Sequence, residues 1–330
     1  MRRWMVRAWR GLDVDEVDEP VPGPGQVRLR MRAASLNYRD LLMWRGHYDR
    51  RVLPYVPLSD GCGVVDALGA GVTDVAIGDR VVATFSPTWL SGGPDRGAVR
   101  TTRGGPVDGV LADAVVVGAS EVVRVPERLS DAAAATLPCA GLTAWSALQL
   151  AGIGPGHTVL TLGTGGVSLF AVQLAQHLGA RVIATTSSPA KAARLRELGA
   201  SEVIDYTADA DWGRTARTLA GDGVDAVVEV GGAGTLAQSL KAVRVGGTVA
   251  LIGVLGGTEQ PLDVLPILMS QIRVQGVFVG SREGLVELCR VLDAPGLEPV
   301  VDRVFPVEEA PEALDWLAAR RHVGKVCLAW

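Results

Sequence analysis

From about residue 156 to residue 282, short apolar runs alternate regularly with amphipathic segments. The apolar run 158–163 is followed by a helical pattern over 166–178, whose apolar residues return on one face of the helix. Further strands are predicted, with helical segments between them, at 181–186, 202–205, 224–230, 248–253 and 273–279. Alternation of strands and helices over this length predicts a parallel, doubly wound sheet, because each helix returns the chain to the start of the next strand.

The turn between the first of these strands and its helix is rich in glycine, with the sequence Gly163-Thr164-Gly165-Gly166-Val167-Ser168. Gly163 permits the tight turn, and Gly165 lets the backbone approach a diphosphate. The free N–H groups at the start of the helix then hold the anion. Ser168 stands where such turns normally carry a third glycine, and it is small enough to be tolerated there. Because the turn lies between a strand and a helix, it predicts a dinucleotide site.

The end of the second strand indicates which dinucleotide binds. Selection of NAD needs a carboxylate about 20 residues beyond the glycines, to bond the ribose 2′-OH. Residues 185–188 are Thr-Thr-Ser-Ser, without a carboxylate. Ser187 and Lys191 suit a 2′-phosphate, although Lys191 and Arg194 are also consistent with a solvated helix face, and Tyr206 is placed to pack near the adenine ribose. The predicted cofactor is therefore NADPH.

The rest of the chain has a different pattern. Residues 1–122 contain short strand-like runs separated by turn formers, and 90–109 are polar and glycine-rich, as in a long surface loop. Strand patterns return over 283–330. We therefore predict a mostly β catalytic domain built from 1–122 and 283–330, with the dinucleotide-binding domain, 123–282, inserted between its two parts.

Composition excludes several classes of partner. The net charge of −4 and the lack of a basic stripe argue against nucleic acid. No segment approaches the roughly 18 uninterrupted apolar residues that span a bilayer, and the N-terminus lacks the apolar run of a signal peptide. A cytoplasmic protein acting on a small-molecule substrate is expected. The four cysteines are widely separated, without a CxxC pair, which argues against a compact zinc knuckle.

Five segments carry a resemblance to a known family: Leu36–Asp40, Gly46–Tyr48, Thr136–Ala144, the glycine-rich turn and His322–Val326. In these segments the chain resembles the medium-chain dehydrogenase/reductase superfamily, and within it the zinc-free quinone oxidoreductase and enoyl reductase branches. The resemblance implies an α/β protein, with a Rossmann doubly wound parallel sheet inserted in a GroES-like irregular β-barrel domain. It also implies a homodimer joined through the edge strands of the Rossmann sheets, with 273–279 as the candidate edge.

The same resemblance bears on metal binding. The positions of the catalytic zinc ligands in zinc-dependent relatives match Asn37, Ser59 and Cys139, of which only Cys139 is a zinc ligand by type. The loop that holds their structural zinc matches 90–110, which contains no cysteine. No metal is expected, although Asp60 and Cys62 leave an improvised site as the alternative.

Without a metal to polarise a carbonyl, hydride addition to a conjugated C=C or a quinone is the favoured reaction. By resemblance, Tyr48 is either the proton donor or an aromatic that packs on the nicotinamide. Asn37 faces the nicotinamide or the substrate oxygen, and Asp40 is an orienting or structural group. The alternatives are a zinc-free alcohol or carbonyl dehydrogenase and an NADPH-binding protein without catalysis.

Further cofactor contacts are implied by the resemblance, mostly at the carboxyl ends of strands. They are Thr143, Gly231, Gly253, Val254, Leu255, Val279, Gly280, Ser281 and Lys325. Lys325 has two interpretations, since it either reaches the cofactor phosphate or caps a strand.

Overall fold

The computed structural model describes residues 1–48 and 53–330. The chain divides into two compact units, one formed by 1–142 together with 279–330 (unit 1) and the other by 143–278 (unit 2). Unit 2 is therefore an insertion in unit 1. The boundaries differ from the predicted residues 122 and 282.

The two units together contain the following strands and helices. The strands are β1 (Arg2–Met5), β2 (Asp13–Glu16), β3 (Gln26–Leu36), β4 (Asp60–Leu68), β5 (Arg80–Ala83), β6 (Ala114–Gly118), β7 (Val122–Arg124), β8 (Thr158–Leu162), β9 (Arg181–Thr186), β10 (Glu202–Asp205), β11 (Val224–Glu229), β12 (Val243–Leu251), β13 (Arg273–Gly276), β14 (Val301–Pro306) and β15 (Lys325–Ala329). The helices are α1 (Tyr38–Trp44), α2 (Arg96–Arg100), α3 (Asp131–Ala134), α4 (Leu142–Leu150), α5 (Gly166–His177), α6 (Pro189–Glu197), α7 (Trp212–Leu219), α8 (Ala233–Ala242), α9 (Leu265–Met269), α10 (Arg282–Val291) and α11 (Ala310–Ala318). A π-helical turn, Leu137–Gly141, precedes α4.

The larger sheet of unit 1 has the strand order β14-β15-β3-β4-β5-β7, with β6 also paired to β3. Its strands pair antiparallel, except for the parallel pair β14 and β15. The long strand β3 buries Val27, Leu29 and Met31 at alternate positions, because side chains point to opposite faces of a strand. These residues join the main apolar core of the unit.

The first domain boundary lies 20 residues beyond the predicted residue 122, at 142. The pairing of β7 with β5 explains part of this difference, since Val82 stands opposite Val123 in the sheet. The π-helical turn explains the rest, because the backbone N–H of Cys139 donates to Asp60 at the start of β4. The sequence between 123 and 142 therefore completes unit 1 and does not begin unit 2.

Unit 2 is a six-stranded sheet with the order β10-β9-β8-β11-β12-β13, in which every pair is parallel. This is the doubly wound order, which reverses direction between β8 and β11. Buried Leu160, Ile183, Val227 and Val249 from four neighbouring strands form its core. Among the described residues, no helix is both long and apolar enough to span a membrane.

Several segments differ from their predicted structure, among them strand β13, which ends at Gly276 and not at residue 279. Strand β12 begins at Val243, five residues before the predicted start at 248, because an irregular stretch precedes its regular pairing with β11. The polar segment 90–109 contains the short helix α2, which begins where Asp95 accepts a hydrogen bond from the Ala98 N–H at 2.7 Å. Capping residues can start such short helices inside a polar loop.

Candidate active site

Asn37 and Asp40 stand at the first turn of α1, directly after β3. The backbone N–H of Asn37 donates to Asp40 Oδ2 at 2.8 Å, as in half of a capping box. The carboxyl of Asp40 is buried, and burial raises its pKa to about 6, although the neighbouring guanidinium of Arg39 opposes this shift. Arg39 Nη1 lies 3.7 Å from Asp40 Oδ1. Asp40 thus orients the start of α1 from the interior of unit 1.

Neighbouring strands of unit 1 bring a group of polar side chains together at one end of the sheet. Strand β3 lies between β15 and β4, with Leu36 opposite Val326 and Ser35 opposite Asp60. The residues that meet there, named here the Asn37 cluster, are Asn37, Ser59, Asp60, Cys139 and Lys325.

Within the Asn37 cluster, the ammonium of Lys325 is buried, with 4% of the residue exposed. It donates to Asn37 Oδ1 at 2.5 Å and to the carbonyl oxygen of Leu36 at 2.6 Å. Asn37 Nδ2 donates to Ser59 Oγ at 3.3 Å, and Ser59 Oγ donates to Asp60 Oδ1 at 2.6 Å. A continuous hydrogen-bonded chain therefore links the cation to the carboxylate.

Asp60 and Cys139 close the other side of the cluster. Asp60 Oδ2 accepts the backbone N–H of Cys139 at 3.0 Å. Burial raises the pKa of the Asp60 carboxyl, whereas the charge of Lys325 and the bond from Ser59 lower it. Burial also raises the pKa of the Cys139 thiol, and the charge of Asp60 adds to this shift. The thiol is therefore held in its neutral form.

Tyr48 lies just before the undescribed residues 49–52 and is 49% exposed. Its ring is stacked on the guanidinium of Arg39, whose central carbon lies 5.4 Å from the ring centroid. The same guanidinium lies 5.0 Å from the ring of Phe85 and donates to the Thr102 hydroxyl. Arg39 thus holds the aromatic ring through a cation–π contact while its own position is fixed by the core.

The glycine-rich turn in unit 2 joins β8 to α5. Gly163 has a φ of 74°, a conformation that favours glycine, and Gly165 is the N-cap of α5 without a side-chain cap. A Cβ added at either glycine would meet no protein atom within 4 Å, so the turn has open space above it. Ser168, in the position of the third glycine, donates to the carbonyl oxygen of Leu162 at 2.7 Å and so ties the helix to the strand.

The end of β9 carries hydroxyl groups and no carboxylate. Thr185 and Thr186 are buried, and Thr185 is paired with the backbone of Gly163, whereas Ser187 is exposed. Lys191 is half-buried on α6. The same helix carries Arg194, which is paired with Glu197 at 2.8 Å. Tyr206, after β10, is 43% exposed. The predicted contacts at Ser187 and Tyr206 are thus accessible from solvent.

The loops after β11 and β12 contain Gly231, Gly253, Val254 and Leu255. Buried Glu229, at the end of β11, organises the first loop: one of its carboxylate oxygens accepts the backbone N–H groups of Gly231 at 2.7 Å and Gly232 at 3.0 Å. The same oxygen accepts the Thr235 hydroxyl at 2.6 Å. Val254 and Leu255 are exposed, as expected for a surface that meets a ligand.

The remaining predicted contacts are divided between the units. Thr143 is buried in α4 of unit 2. Val279, Gly280 and Ser281 belong to unit 1, where Val279 is buried with a φ of 52° and Ser281 caps α10 by accepting the N–H of Gly284 at 3.2 Å. Val279 therefore holds a backbone conformation that is unusual for a branched side chain.

Comparison with known proteins decides the family. Residues 23–127 match the family described as alcohol dehydrogenase GroES-like domain, and 166–294 match the zinc-binding dehydrogenase family. A crystal structure of a putative alcohol dehydrogenase from Sinorhizobium meliloti 1021 is 41% identical, with a TM-score of 0.93 over 100% of this chain and 98% of the other. The chain belongs to the medium-chain dehydrogenase/reductase superfamily.

Two further relatives bear on the chemistry of this oxidoreductase. The mycobacterial protein Rv1454c in complex with NADPH is 31% identical, with a TM-score of 0.84 over 100% of both chains. The acryloyl-coenzyme A reductase of Metallosphaera sedula is 28% identical over 97% of this chain and 96% of its own length. Both the GroES-like domain and the Rossmann-type domain predicted from the sequence are thereby confirmed.

As a medium-chain dehydrogenase/reductase, the protein uses a nicotinamide cofactor, and the glycine-rich turn fits one. The uncapped N–H groups at the start of α5 face open space above Gly163 and Gly165, as a diphosphate requires. Gly163, Thr164, Gly165, Gly166 and Val167 would hold that group.

Zinc does not fit the Asn37 cluster, although one matched family is named for it. A catalytic zinc needs three nitrogen, sulfur or carboxylate ligands in protein. Asn37 offers a carboxamide whose oxygen accepts from an ammonium, and Ser59 offers a hydroxyl, so only the Cys139 thiol and the Asp60 carboxylate are ligands of a suitable type in the cluster. Among the described residues, no group of three His, Cys, Asp or Glu side chains is placed to hold a metal.

Three residues of this dehydrogenase/reductase were not recognised from the sequence, or were given another role. Lys325 lies in the Asn37 cluster, with its ammonium bonded within unit 1, and its two interpretations, a phosphate contact or a strand cap, stay predictions. Glu229 organises the loop after β11, and Arg39 supports Tyr48. A lone lysine in an apolar run indicates that its ammonium has a bonding partner inside the protein, because an uncompensated buried ammonium is costly. This signal applies to Lys325.

Proposed function

We propose that this protein is a zinc-independent reductase that transfers hydride from NADPH to an α,β-unsaturated carbonyl compound or a quinone. The observation that carries the proposal is the Asn37 cluster. By the resemblance, Asn37, Ser59 and Cys139 occupy the positions of a catalytic metal's ligands, yet the cluster presents a carboxamide donor backed by a buried ammonium. Such a site stabilises a developing oxyanion through hydrogen bonds and does not need a Lewis acid.

When bound, NADPH would supply the hydride that is added to the β-carbon of the conjugated system. The π electrons of the C=C bond then shift to the bond between the α-carbon and the carbonyl carbon, and those of the C=O bond move onto the oxygen, giving an enolate. Asn37 Nδ2 donates a hydrogen bond to that oxygen, and Lys325 holds the other end of the carboxamide. Tyr48 then donates its phenolic proton to the α-carbon, and solvent restores the proton because the side chain is half exposed.

NADPH is proposed as the cofactor because the end of β9 offers hydroxyl groups without a carboxylate. Ser187 is exposed, and Lys191 follows on the first turn of α6. The carboxylate nearest in the sheet, Asp205 at the end of β10, accepts both the N–H and the hydroxyl of Thr207 and so serves as a local cap. The similar mycobacterial structure in complex with NADPH also supports this choice.

A substrate panel tests the proposal. The purified protein is mixed with NADPH or NADH and with an enone, a conjugated acyl thioester, a quinone, and a saturated ketone, and loss of the reduced cofactor is followed by absorbance. Reduction of the conjugated compounds or the quinone, with NADPH preferred, is the expected result. Reduction of the saturated ketone with the conjugated C=C bonds untouched favours a carbonyl dehydrogenase instead. NADPH binding without turnover of any compound contradicts enzymatic reduction altogether.

We also propose that the protein forms a homodimer through the free edge of the unit 2 sheet. Strand β13 is the last strand of that sheet, and its four residues are exposed. The preceding helix α9 exposes Leu265, Leu268 and Met269, and Leu268 and Met269 are each 72% exposed. An exposed edge strand beside the exposed apolar side chains of α9 is stabilised by pairing with a second copy.

A further inference from the structure

Lys325 is an unusual choice of residue for this chain. The sequence contains 29 arginines and only three lysines, Lys191, Lys241 and Lys325. Of these, Lys325 is the fully buried one, with 4% exposed. Burying an ammonium is costly unless hydrogen bonds and an opposite charge compensate for it. The position therefore needs an explanation in terms of what the ammonium does.

The contacts of the ammonium are specific. Its nitrogen lies 2.5 Å from Asn37 Oδ1 and 2.6 Å from the Leu36 carbonyl oxygen, both at the end of β3. The compensating charge is that of Asp60, which is buried and is held in place by Ser59 and by the N–H of Cys139. Cation and carboxylate thus lie on opposite sides of the Asn37 carboxamide and the Ser59 hydroxyl.

The hydrogen bond from Lys325 fixes the orientation of the Asn37 carboxamide. An ammonium has three donors and no acceptor, so it can bond only the oxygen of the amide. The NH₂ end is then the donor end, directed towards Ser59 Oγ at 3.3 Å. An amide whose oxygen accepts from a cation is also polarised, which strengthens the hydrogen bonds that its N–H groups donate.

We propose, on the basis of the function proposed above, that Lys325 is a positioning residue that fixes Asn37 as a donor to the substrate oxygen and supplies the positive charge that zinc-dependent relatives obtain from their metal. Lys325 does not touch the reacting atoms in this scheme. It acts through Asn37, and the two residues form one functional unit.

The kinetic test uses Lys325→Met, Lys325→Arg, Asn37→Ala and the double variant Lys325→Met with Asn37→Ala. With saturating NADPH and the best substrate of the panel, Lys325→Met is expected to lower kcat by about 10²-fold, the size of effect of one lost oxyanion donor. Lys325→Arg keeps the charge and is expected to restore most of the rate. The double variant is expected to be no slower than Asn37→Ala, because residues that act as a unit are not additive.

Two controls separate this role from a loss of folding. Lys241→Met removes a half-exposed ammonium that pairs with Asp211 at 2.7 Å in unit 2, and it should leave kcat unchanged. The dissociation constant of NADPH should stay within about twofold in every variant. A tenfold change would correspond to a loss of about 1.4 kcal/mol in binding free energy, and no such loss is expected. If Lys325→Met unfolds the protein, Lys325→Met with Asp60→Asn removes the unpaired carboxylate and replaces it in the comparison.

Normal kcat in a folded Lys325→Met variant overturns the proposal, and so do multiplicative losses in the double variant. A second measurement does not depend on turnover. The side-chain amide resonances of Asn37 should move in Lys325→Met and stay in place in Lys241→Met, and unmoved resonances in both also overturn the proposal. A wild-type protein that reduces no compound, yet shows this shift, contradicts the proposed function and leaves the positioning of Asn37 supported.

Discussion

At the scale of single residues, Tyr48 and Asp40 lie in neighbouring segments but are arranged for different tasks. Tyr48 presents a half-exposed phenol supported by Arg39, whereas Asp40 is a buried carboxyl that caps α1. The first arrangement suits a group that exchanges a proton with solvent, and the second suits a group that fixes the backbone. Tyr48→Phe, which removes the phenolic oxygen, and Asp40→Asn, which replaces one carboxylate oxygen by an amide nitrogen, distinguish these roles.

Tyr48→Phe removes the phenolic oxygen and keeps the ring that stacks on Arg39. If the phenol donates the proton to the α-carbon, kcat is expected to fall by about 10²–10⁴-fold. Tyr38→Phe is the matched control, because Tyr38 also stacks on an arginine, Arg320, at 5.7 Å but packs against the apolar core of unit 1. Steady-state rates with NADPH measure both variants, and a loss of less than threefold in Tyr48→Phe would identify a packing aromatic.

Asp40 gives the stability of the fold a specific dependence on pH. Its folded-state pKa of about 6 lies above the ordinary value of 3.8, so the folded protein holds the proton more tightly than the unfolded chain. The resulting stabilisation is present below about pH 4 and is lost as the pH rises through 6. A difference of about two units between the folded and unfolded pKa values corresponds to about 3 kcal/mol in the free energy of unfolding.

Asp40→Asn keeps an acceptor for the N–H of Asn37 and removes the titration. Its free energy of unfolding, measured with urea at pH 5 and pH 8, should therefore rise relative to wild type at the higher pH. Asp15→Asn serves as the control, because hydrogen bonds from Arg7 lower the pKa of that carboxyl and leave it ionised at both pH values. A pH-independent difference between Asp40→Asn and wild type is the contrary result.

At the scale of elements, a substitution that adds one methyl group at the start of α5 provides a test of the cofactor site. Gly165 has a φ of −75°, which alanine adopts freely, and its Cβ would meet no protein atom within 4 Å. Gly165→Ala should therefore leave the melting temperature unchanged while the methyl group displaces the diphosphate. Loss of one charge-assisted hydrogen bond, about 1.5–3 kcal/mol, weakens NADPH binding by about 10- to 100-fold.

The matched control is Gly154→Ala, in a loop of the same unit where a Cβ also meets nothing and φ is not positive. This variant should change neither the melting temperature nor the dissociation constant of NADPH, measured by fluorescence titration. Equal affinities of wild type and Gly165→Ala for NADPH would contradict binding of the diphosphate at this turn.

The elements also show how far the sequence determines the structure. Strands β9 and β10 begin and end at the predicted residues, because apolar runs between turn signals encode buried parallel strands directly. Asn37, Asp40 and Tyr48 were predicted through their motif. The contact of Lys325 with Asn37 was not, since it depends on β15 pairing with β3, and a strand pattern does not specify its neighbour in a mixed sheet.

At the scale of the whole molecule, the exposed apolar edge of unit 2 predicts association. Leu268→Glu combined with Val274→Glu places charges on α9 and on β13, and this variant should elute as a monomer, whereas wild type elutes as a dimer. Light scattering coupled to gel filtration gives the mass directly. Val21→Glu, at an 83% exposed position of unit 1, should remain dimeric. A monomeric wild type at micromolar concentration contradicts this interface.

The position of β15 beside β3 also governs how the protein is made. Asn37 and Lys325 are 288 residues apart in the sequence, so at about 5–20 residues per second the ribosome needs on the order of 15–60 seconds to synthesise the second after the first. Throughout that interval residues 33–36 of β3 have no β15 to pair with, and the nascent sheet has an open edge. The Asn37 cluster is therefore assembled last, when translation has already produced all of unit 2.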